Sequence, residues 1–224
     1  MSGRMIPHRT PFFLPLLYPS LVWRMPHDEA ALYLTFDDGP MPGPTDYVLE
    51  VLRSHDARAT FFCIGDNVRK HPELFRRIVD EGHTVGNHTY HHLNGWRTRS
   101  ADYISNVKAF EDAVADAGIQ NRVALFRPPY GRITRRQISG LRDYTIVMWD
   151  VLTRDYDRLL SKEKCFQGSV RACRPGSLVV FHDSYKAQRN MEYALPRLIE
   201  EMRQQGCSFK SLPFDGVFTS PGVS

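Results

Sequence analysis

Two adjacent carboxylates, Asp37 and Asp38, stand at the end of an apolar run, residues 32–36, and the chain then turns through Gly39 and Pro40. Like charges side by side at the mouth of an apolar strand cost free energy unless a cation or hydrogen-bond donors offset them. Farther along, GNHTYHH (86–92) carries His88, His91 and His92. His88 and His92 would stand about 6 Å apart along the axis of a helix, but about 13 Å apart in a strand. They can share an ion only if the chain leaves the extended conformation near His88, and on spacing His88 with His91 is an equal alternative. Two imidazoles and one carboxylate leave an open position for water on a tetrahedral ion, and such an ion lowers the pKa of water to about 7. One aspartate would then be neutralised by a metal while the other stands free as a base.

Four further residues could take part. Arg127 precedes Pro128 and Pro129, so its backbone is stiff, and a guanidinium held there can orient a carboxylate and keep it ionised. His182 closes the apolar run SLVVFH, where it could protonate a departing amine. Asp150 and Asp155 follow the run YTIVMW.

The elements that must position these groups are legible as an alternation. Short apolar runs at 31–36, 59–65, 83–88, 123–126, 144–149, 177–182 and 207–212 are separated by amphipathic stretches. Leu74, Phe75, Ile78 and Val79 make one helical face; Tyr103, Val107, Phe110, Val114 and Ala117 make a second, closed by Gly118. Leu195, Leu198, Ile199 and Met202 make a third, closed by Gly206. Regular β-α alternation predicts a parallel sheet with helices outside, and about seven units predict a barrel-like α/β fold. In such folds the working groups sit at the carboxyl ends of the strands, which is where the titratable residues above collect.

The chain has 224 residues, enough for one sizeable core, and a formal net charge of +4. Its Lys and Arg are scattered, which predicts a solvated surface and no nucleic-acid stripe. The four cysteines contain no C-x-x-C pair, so free thiols are expected, with Cys63 buried in ATFFCIG. The apolar stretch at 11–23 is short and broken by prolines, so no membrane span is expected. It also lacks a small-residue cleavage site, so cytoplasmic residence is the expectation. Residues 1–29 are expected to pack on the outside of a domain that spans 30–215, followed by a tail, 216–224.

Taken together, TFDDGP (35–40), HTYHH (88–92), RPPYG (127–131) and VVFHDS (179–184) resemble the motifs of the polysaccharide deacetylase family, the NodB-homology domain of carbohydrate esterase family 4. The resemblance spans about residues 30–212. It implies a distorted (β/α) barrel of about seven parallel strands with outer helices. It implies Asp37 as catalytic base, Asp38, His88 and His92 as metal ligands, and Arg127 as the group that orients the base. It places an oxyanion donor at the backbone N–H of Tyr130 and a general acid at His182. The cofactor implied is one divalent ion, with zinc first and cobalt, nickel, manganese or iron also compatible. The activity implied is metal-dependent removal of N-acetyl groups from amino sugars of the chitooligosaccharide or peptidoglycan type. An O-acetyl esterase or small-molecule amidohydrolase would use the same residues, and a non-catalytic glycan-binding module is the alternative of another class. One position departs from the family pattern. Leu152 stands where an aspartate usually supports the acid histidine, so Asp150 or Asp155 is expected to take over.

Overall fold

The computed structural model describes residues 7–27, 30–120 and 122–213. After a short helix α1 (Phe13–Leu17), strand β1 (Ala31–Asp37) begins the alternation with α2 (Pro44–Ser54), β2 (Ala59–Cys63), α3 (Gly65–Lys70), α4 (Pro72–Asp80) and β3 (Thr84–Asn87). The chain continues with α5 (Ser100–Asp116), β4 (Leu125–Phe126), α6 (Arg135–Gly140), β5 (Thr145–Ile146) and β6 (Val151–Leu152). It ends with α7 (Lys162–Ala172), β7 (Leu178–His182), α8 (Gln188–Gln204) and β8 (Ser208–Phe209). Each of the seven expected strands forms, although three of them shrink to residue pairs at β4, β5 and β8. A further strand, β6, is only two residues long and has no apolar run to announce it. Gly118 and Gly206 end α5 and α8 with φ of 83° each, a conformation glycine adopts without steric cost.

The strands run in the order β5-β4-β3-β2-β1-β7-β6, and β8 pairs with the first residues of β1. Each of these pairings is parallel. The sheet curls into a half-barrel whose seam lies between β5 and β6. Residues 8–25 cross that seam as a strap. The Val22 N–H donates to Ile146 O at 2.9 Å, and the Met148 N–H donates to Val22 O at 2.7 Å. On the far side the Met25 N–H donates to Gly176 O, and the Leu152 N–H donates to His8 O. The segment expected to pack on the outside of the domain contains a helical turn, and its described part joins the two free edges of the sheet. The tail at 216–224 lies outside the described residues.

The core forms around β1, the central strand, because its residues alternate between two covered faces. Leu32, Leu34 and Phe36 are wholly buried. Phe36 lies in register with Phe61 on β2 and Phe181 on β7, and its ring stacks against theirs at 5.1 and 6.0 Å. These three rings lie directly beneath the carboxyl end where Asp37 emerges. The four cysteines are buried free thiols. Among the described residues, no helix is long and apolar enough to cross a membrane.

Truncating Phe36 removes the shared partner of both neighbouring rings. Phe36→Ala is expected to cost about 3–5 kcal/mol of unfolding free energy, and Phe36→Leu less than half of that, by denaturant titration. Equal small losses for both would show that the ring stack does not hold this layer together.

Candidate active site

The parallel register determines which side chains meet. Asp37 pairs with His182 across β1 and β7, and with Phe62 across β1 and β2. The ends of β1, β3, β4 and β7 thus open at one rim, as the alternation predicted.

Arg127 follows β4 and has no exposed surface. Its Nη1 donates to Asp37 Oδ1 at 2.7 Å and to Thr35 Oγ1 at 2.7 Å, while Nη2 donates to Met148 O at 2.9 Å and Nε to Val147 O at 3.3 Å. The guanidinium lies flat on the Phe62 ring, 4.1 Å from its centroid. Burial lowers the Arg127 pKa, against which Asp37 acts as the opposing charge. Asp37 is held as the partner of this cation.

Asp38 faces the other way. Its φ of 84° lies in the left-handed region, which turns its side chain away from Asp37 and toward the histidines. Asp38 Oδ1 lies 3.2 Å from His92 Nε2 and 3.9 Å from His88 Nε2. One ligand atom from each of Asp38, His88 and His92 falls within 4.8 Å of the others, a donor set that fits a divalent metal. Burial opposes ionisation of Asp38, yet the His92, His182 and His88 imidazoles outweigh it and hold the carboxyl below the usual carboxylate range. His88 Nδ1 lies 2.8 Å from Arg127 O, which fixes the ring and leaves Nε2 for a ligand. Burial lowers the His88 pKa to about 4, so the imidazole is neutral, as metal binding requires.

The chain brings His92 back without a helix. Thr89 and His92 both adopt positive φ, 64° and 55°, so two left-handed residues coil the segment. The same coil sends His91 outward, where its Nδ1 meets Asn106 Nδ2 at 2.8 Å. That resolves the spacing ambiguity in favour of His88 with His92. Tyr130 also has positive φ, 61°, and its ring packs edge-on to His92 at 4.7 Å.

His182 is gripped by Asp155. Asp155 Oδ1 lies 2.7 Å from His182 Nδ1, and Oδ2 accepts the His182 backbone N–H at 2.7 Å. Burial alone would lower this imidazole's pKa, but Asp155, with Asp38 and Asp37 beyond it, reverses the effect and raises it to about 9. The stability this pair contributes is present below the unfolded histidine pKa and is lost as pH rises through about 9. Asp150 does not reach His182. Val151 and Leu152 pair with Val179 and Val180, so Asp150 lies at the start of β6 and Asp155 beyond its end. Asp150 instead accepts Ser177 Oγ–H at 2.6 Å and lies 3.5 and 3.6 Å from Arg9 and Arg24 of the strap. Leu152 spends its backbone on His8.

Several positioning residues were given no role by sequence reasoning, even where they fall inside a quoted motif. Asp183, wholly enclosed, accepts the Gly39 N–H at 3.0 Å and meets Thr45 Oγ1 at 2.6 Å, so it pins the loop carrying both acids. Burial and the nearby Asp38 charge raise its pKa to about 7. Asn67 Nδ2 donates to Asp38 O at 2.7 Å, and Asn87 Oδ1 accepts the Thr89 N–H at 2.8 Å. Asp183 had one sequence signal, an acid directly after a strand-mouth histidine; Asn67 and Asn87 had none.

Two outcomes follow from this geometry. A Cβ at Gly39 would collide with Asp183 Oδ2, so Gly39→Ala is expected to displace Asp38 and weaken metal affinity roughly 10- to 100-fold by calorimetry. In the metal-free protein, Asp155→Asn is expected to lower the His182 pKa by about one unit or more in an NMR titration, while Asp150→Asn leaves it unchanged. A histidine still titrating near 9 in Asp155→Asn would refute the cause assigned to the shift.

The fold occurs in known proteins. The family model described as "Polysaccharide deacetylase" matches residues 24–149. A peptidoglycan-N-acetylglucosamine deacetylase of Bacillus cereus is 33% identical over 196 residues, covering 84% of this chain and 69% of that protein. A chitooligosaccharide deacetylase of a Bradyrhizobium species is 35% identical over 196 residues, 82% of this chain and 89% of that one. A crystal structure of a peptidoglycan N-acetylglucosamine deacetylase superposes with a TM-score of 0.83 at 30% identity, covering 91% of this chain and 95% of that chain. A family 4 pseudoenzyme of Bacillus anthracis superposes with a TM-score of 0.77 at 26% identity, covering 87% of this chain and 68% of its own. The chain belongs to the polysaccharide deacetylase family.

Proposed function

We propose that this chain is a metal-dependent deacetylase that hydrolyses the N-acetyl group of an amino sugar. The observation that carries the reading is the division of labour between two neighbouring carboxylates. Asp37 is paired to a buried guanidinium 2.7 Å away, and Asp38 is turned onto two imidazoles. A glycan-binding module has no need of that separation. A solved pseudoenzyme of similar fold means that the fold alone does not carry activity, so the argument rests on these residues.

When bound by Asp38, His88 and His92, a divalent ion polarises the acetyl carbonyl and lowers the pKa of water. Two imidazoles and one carboxylate suit zinc, which is the metal we assign. Asp37, paired with Arg127, takes a proton from the attacking water. The developing oxyanion is assigned to the backbone N–H of Tyr130. His182, kept protonated by Asp155, gives its proton to the departing nitrogen as the C–N bond breaks. Water's oxygen and one of its protons end on acetic acid, the sugar leaves as an amine, and the proton held by Asp37 replaces, through solvent, the one that His182 gave up. Because His182 must be protonated and Asp155 raises its pKa, activity is expected to persist into mildly alkaline solution and to fall as the imidazole loses its proton. The named relatives act on peptidoglycan N-acetylglucosamine and on chitooligosaccharides, which supports an N-acetylglucosamine-containing substrate.

The test is acetate release from chitotetraose by protein stripped of metal and re-supplied with zinc or cobalt. Release is expected to need the metal and to drop roughly a hundred- to ten-thousand-fold in Asp37→Asn. Release from acetylated xylan but not from chitotetraose would make the chain an O-acetyl esterase. Glycan binding with no release under any metal would make it a binding module.

A further inference from the structure

One rim of the molecule is built for a different contact. Eight large hydrophobic side chains are exposed among the described residues; three of them, Leu17, Trp96 and Tyr130, line one cleft, and Phe12, Phe13 and Leu16 stand beside Leu17 on and next to α1. Phe12, Phe13, Leu16 and Leu17 are 84%, 48%, 74% and 60% exposed; Trp96 and Tyr130 are 65% and 60% exposed. α1 has no buried residue. Between these two sets lies a cleft of about 470 Å³, with Leu14, Leu17 and Tyr18 on one wall and Trp96, Tyr130 and Ile133 on the other. The protrusion is held in place: the strap on either side of it is tied to β5, β6 and Gly176, and Arg9 and Arg24 both approach the Asp150 carboxylate.

The surroundings are cationic. Arg97 and Arg99 follow Trp96, and Arg132, Arg135 and Arg136 lie on the adjoining loop and helix α6. Gln137 ties the two segments together by donating to Gly95 O, and the Arg132 guanidinium lies 5.2 Å from the Trp96 ring centroid. Within these segments the acid in reach is Asp102, 3.8 Å from Arg99.

We propose that this rim docks on an anionic lipid bilayer, with Phe12, Phe13, Leu16 and Leu17 entering the headgroup–acyl boundary and the arginines meeting lipid phosphates. Projecting apolar side chains, a tryptophan and neighbouring arginines form the composition that lies in a membrane interface. A second copy of the chain fits poorly, since a two-fold contact through this rim would set arginine against arginine. Tyr130 belongs to both the rim and the reaction centre, because its ring packs on His92. Docking therefore places the metal site at the membrane surface and favours acetylated glycans presented there.

The test is sedimentation of the full chain with vesicles of phosphatidylcholine alone and of phosphatidylcholine mixed equally with phosphatidylglycerol. The wild type is expected to pellet with the anionic vesicles and to be released by salt. Phe12→Ser with Leu16→Ser is expected to weaken partitioning about a hundredfold. Arg135→Ser with Arg136→Ser is expected to weaken it about 30-fold on anionic vesicles and to leave neutral ones unchanged. Both double variants keep the wild-type melting temperature and acetate release from chitotetraose. Failure of the wild type to bind, or equal binding by wild type and both variants, overturns the proposal. So does concentration-dependent dimerisation that Phe12→Ser abolishes, which would give the rim to a second copy.

Discussion

A guanidinium with no exposed surface is the constraint around which this molecule is arranged. Taking such a charge out of water costs several kcal/mol unless its donors and its charge are both met. Arg127 meets that cost with four hydrogen bonds, one of them to Asp37, and with the face of Phe62. Its partners come from β1, from β2 and from the two residues after β5 whose backbone carries the strap. The ion pair that holds the base in place is thus also the tie that binds the centre of the sheet to its edge. Structural and chemical demands on Arg127 cannot be separated, because removing it leaves Asp37 buried and unpaired.

Around that tie, environment assigns different states to chemically identical groups. Three aspartates, Asp37, Asp38 and Asp183, lie close enough that the charge on Asp38 raises Asp183. One is matched by arginine, one by imidazoles, and the third is enclosed against a hydroxyl and a backbone N–H. The histidines divide in the same way. His88 is buried with a carbonyl on one nitrogen and stays neutral, while His182 is gripped by a carboxylate and stays charged. Placement of partners, rather than the residue types, makes one imidazole a ligand and the other a proton donor.

Much of this was legible before any coordinates. The apolar runs located the strands because a parallel strand buried on both faces has few polar positions. The titratable residues at their ends marked the rim, and motif resemblance separated His92 from His91. What stayed hidden depended on backbone that has no periodicity. β6 is two residues long, so the choice between Asp150 and Asp155 could not be read until its register with β7 was known. The left-handed turns at Asp38, Thr89, His92 and Tyr130 fall on non-glycine residues, where sequence gives little warning. Asp183 acts by holding a loop distant in sequence, an effect that local spacing does not encode.

The central position of β1 has a consequence for how the protein comes into being. Its two neighbours, β2 and β7, begin 22 and 141 residues after its own last pairing partners near residue 37, and the strap before it needs residues 146–177 to find its seat. During synthesis, one edge of β1 has no in-sheet partner until almost the whole chain has left the ribosome. Contacts of such long sequence separation are slow to form. Asp37 and His182 face each other only at that last pairing, so a partly made chain holds a base without its acid. The nascent molecule passes through a stage with an open, apolar strand edge, when it depends on its surroundings to stay unaggregated.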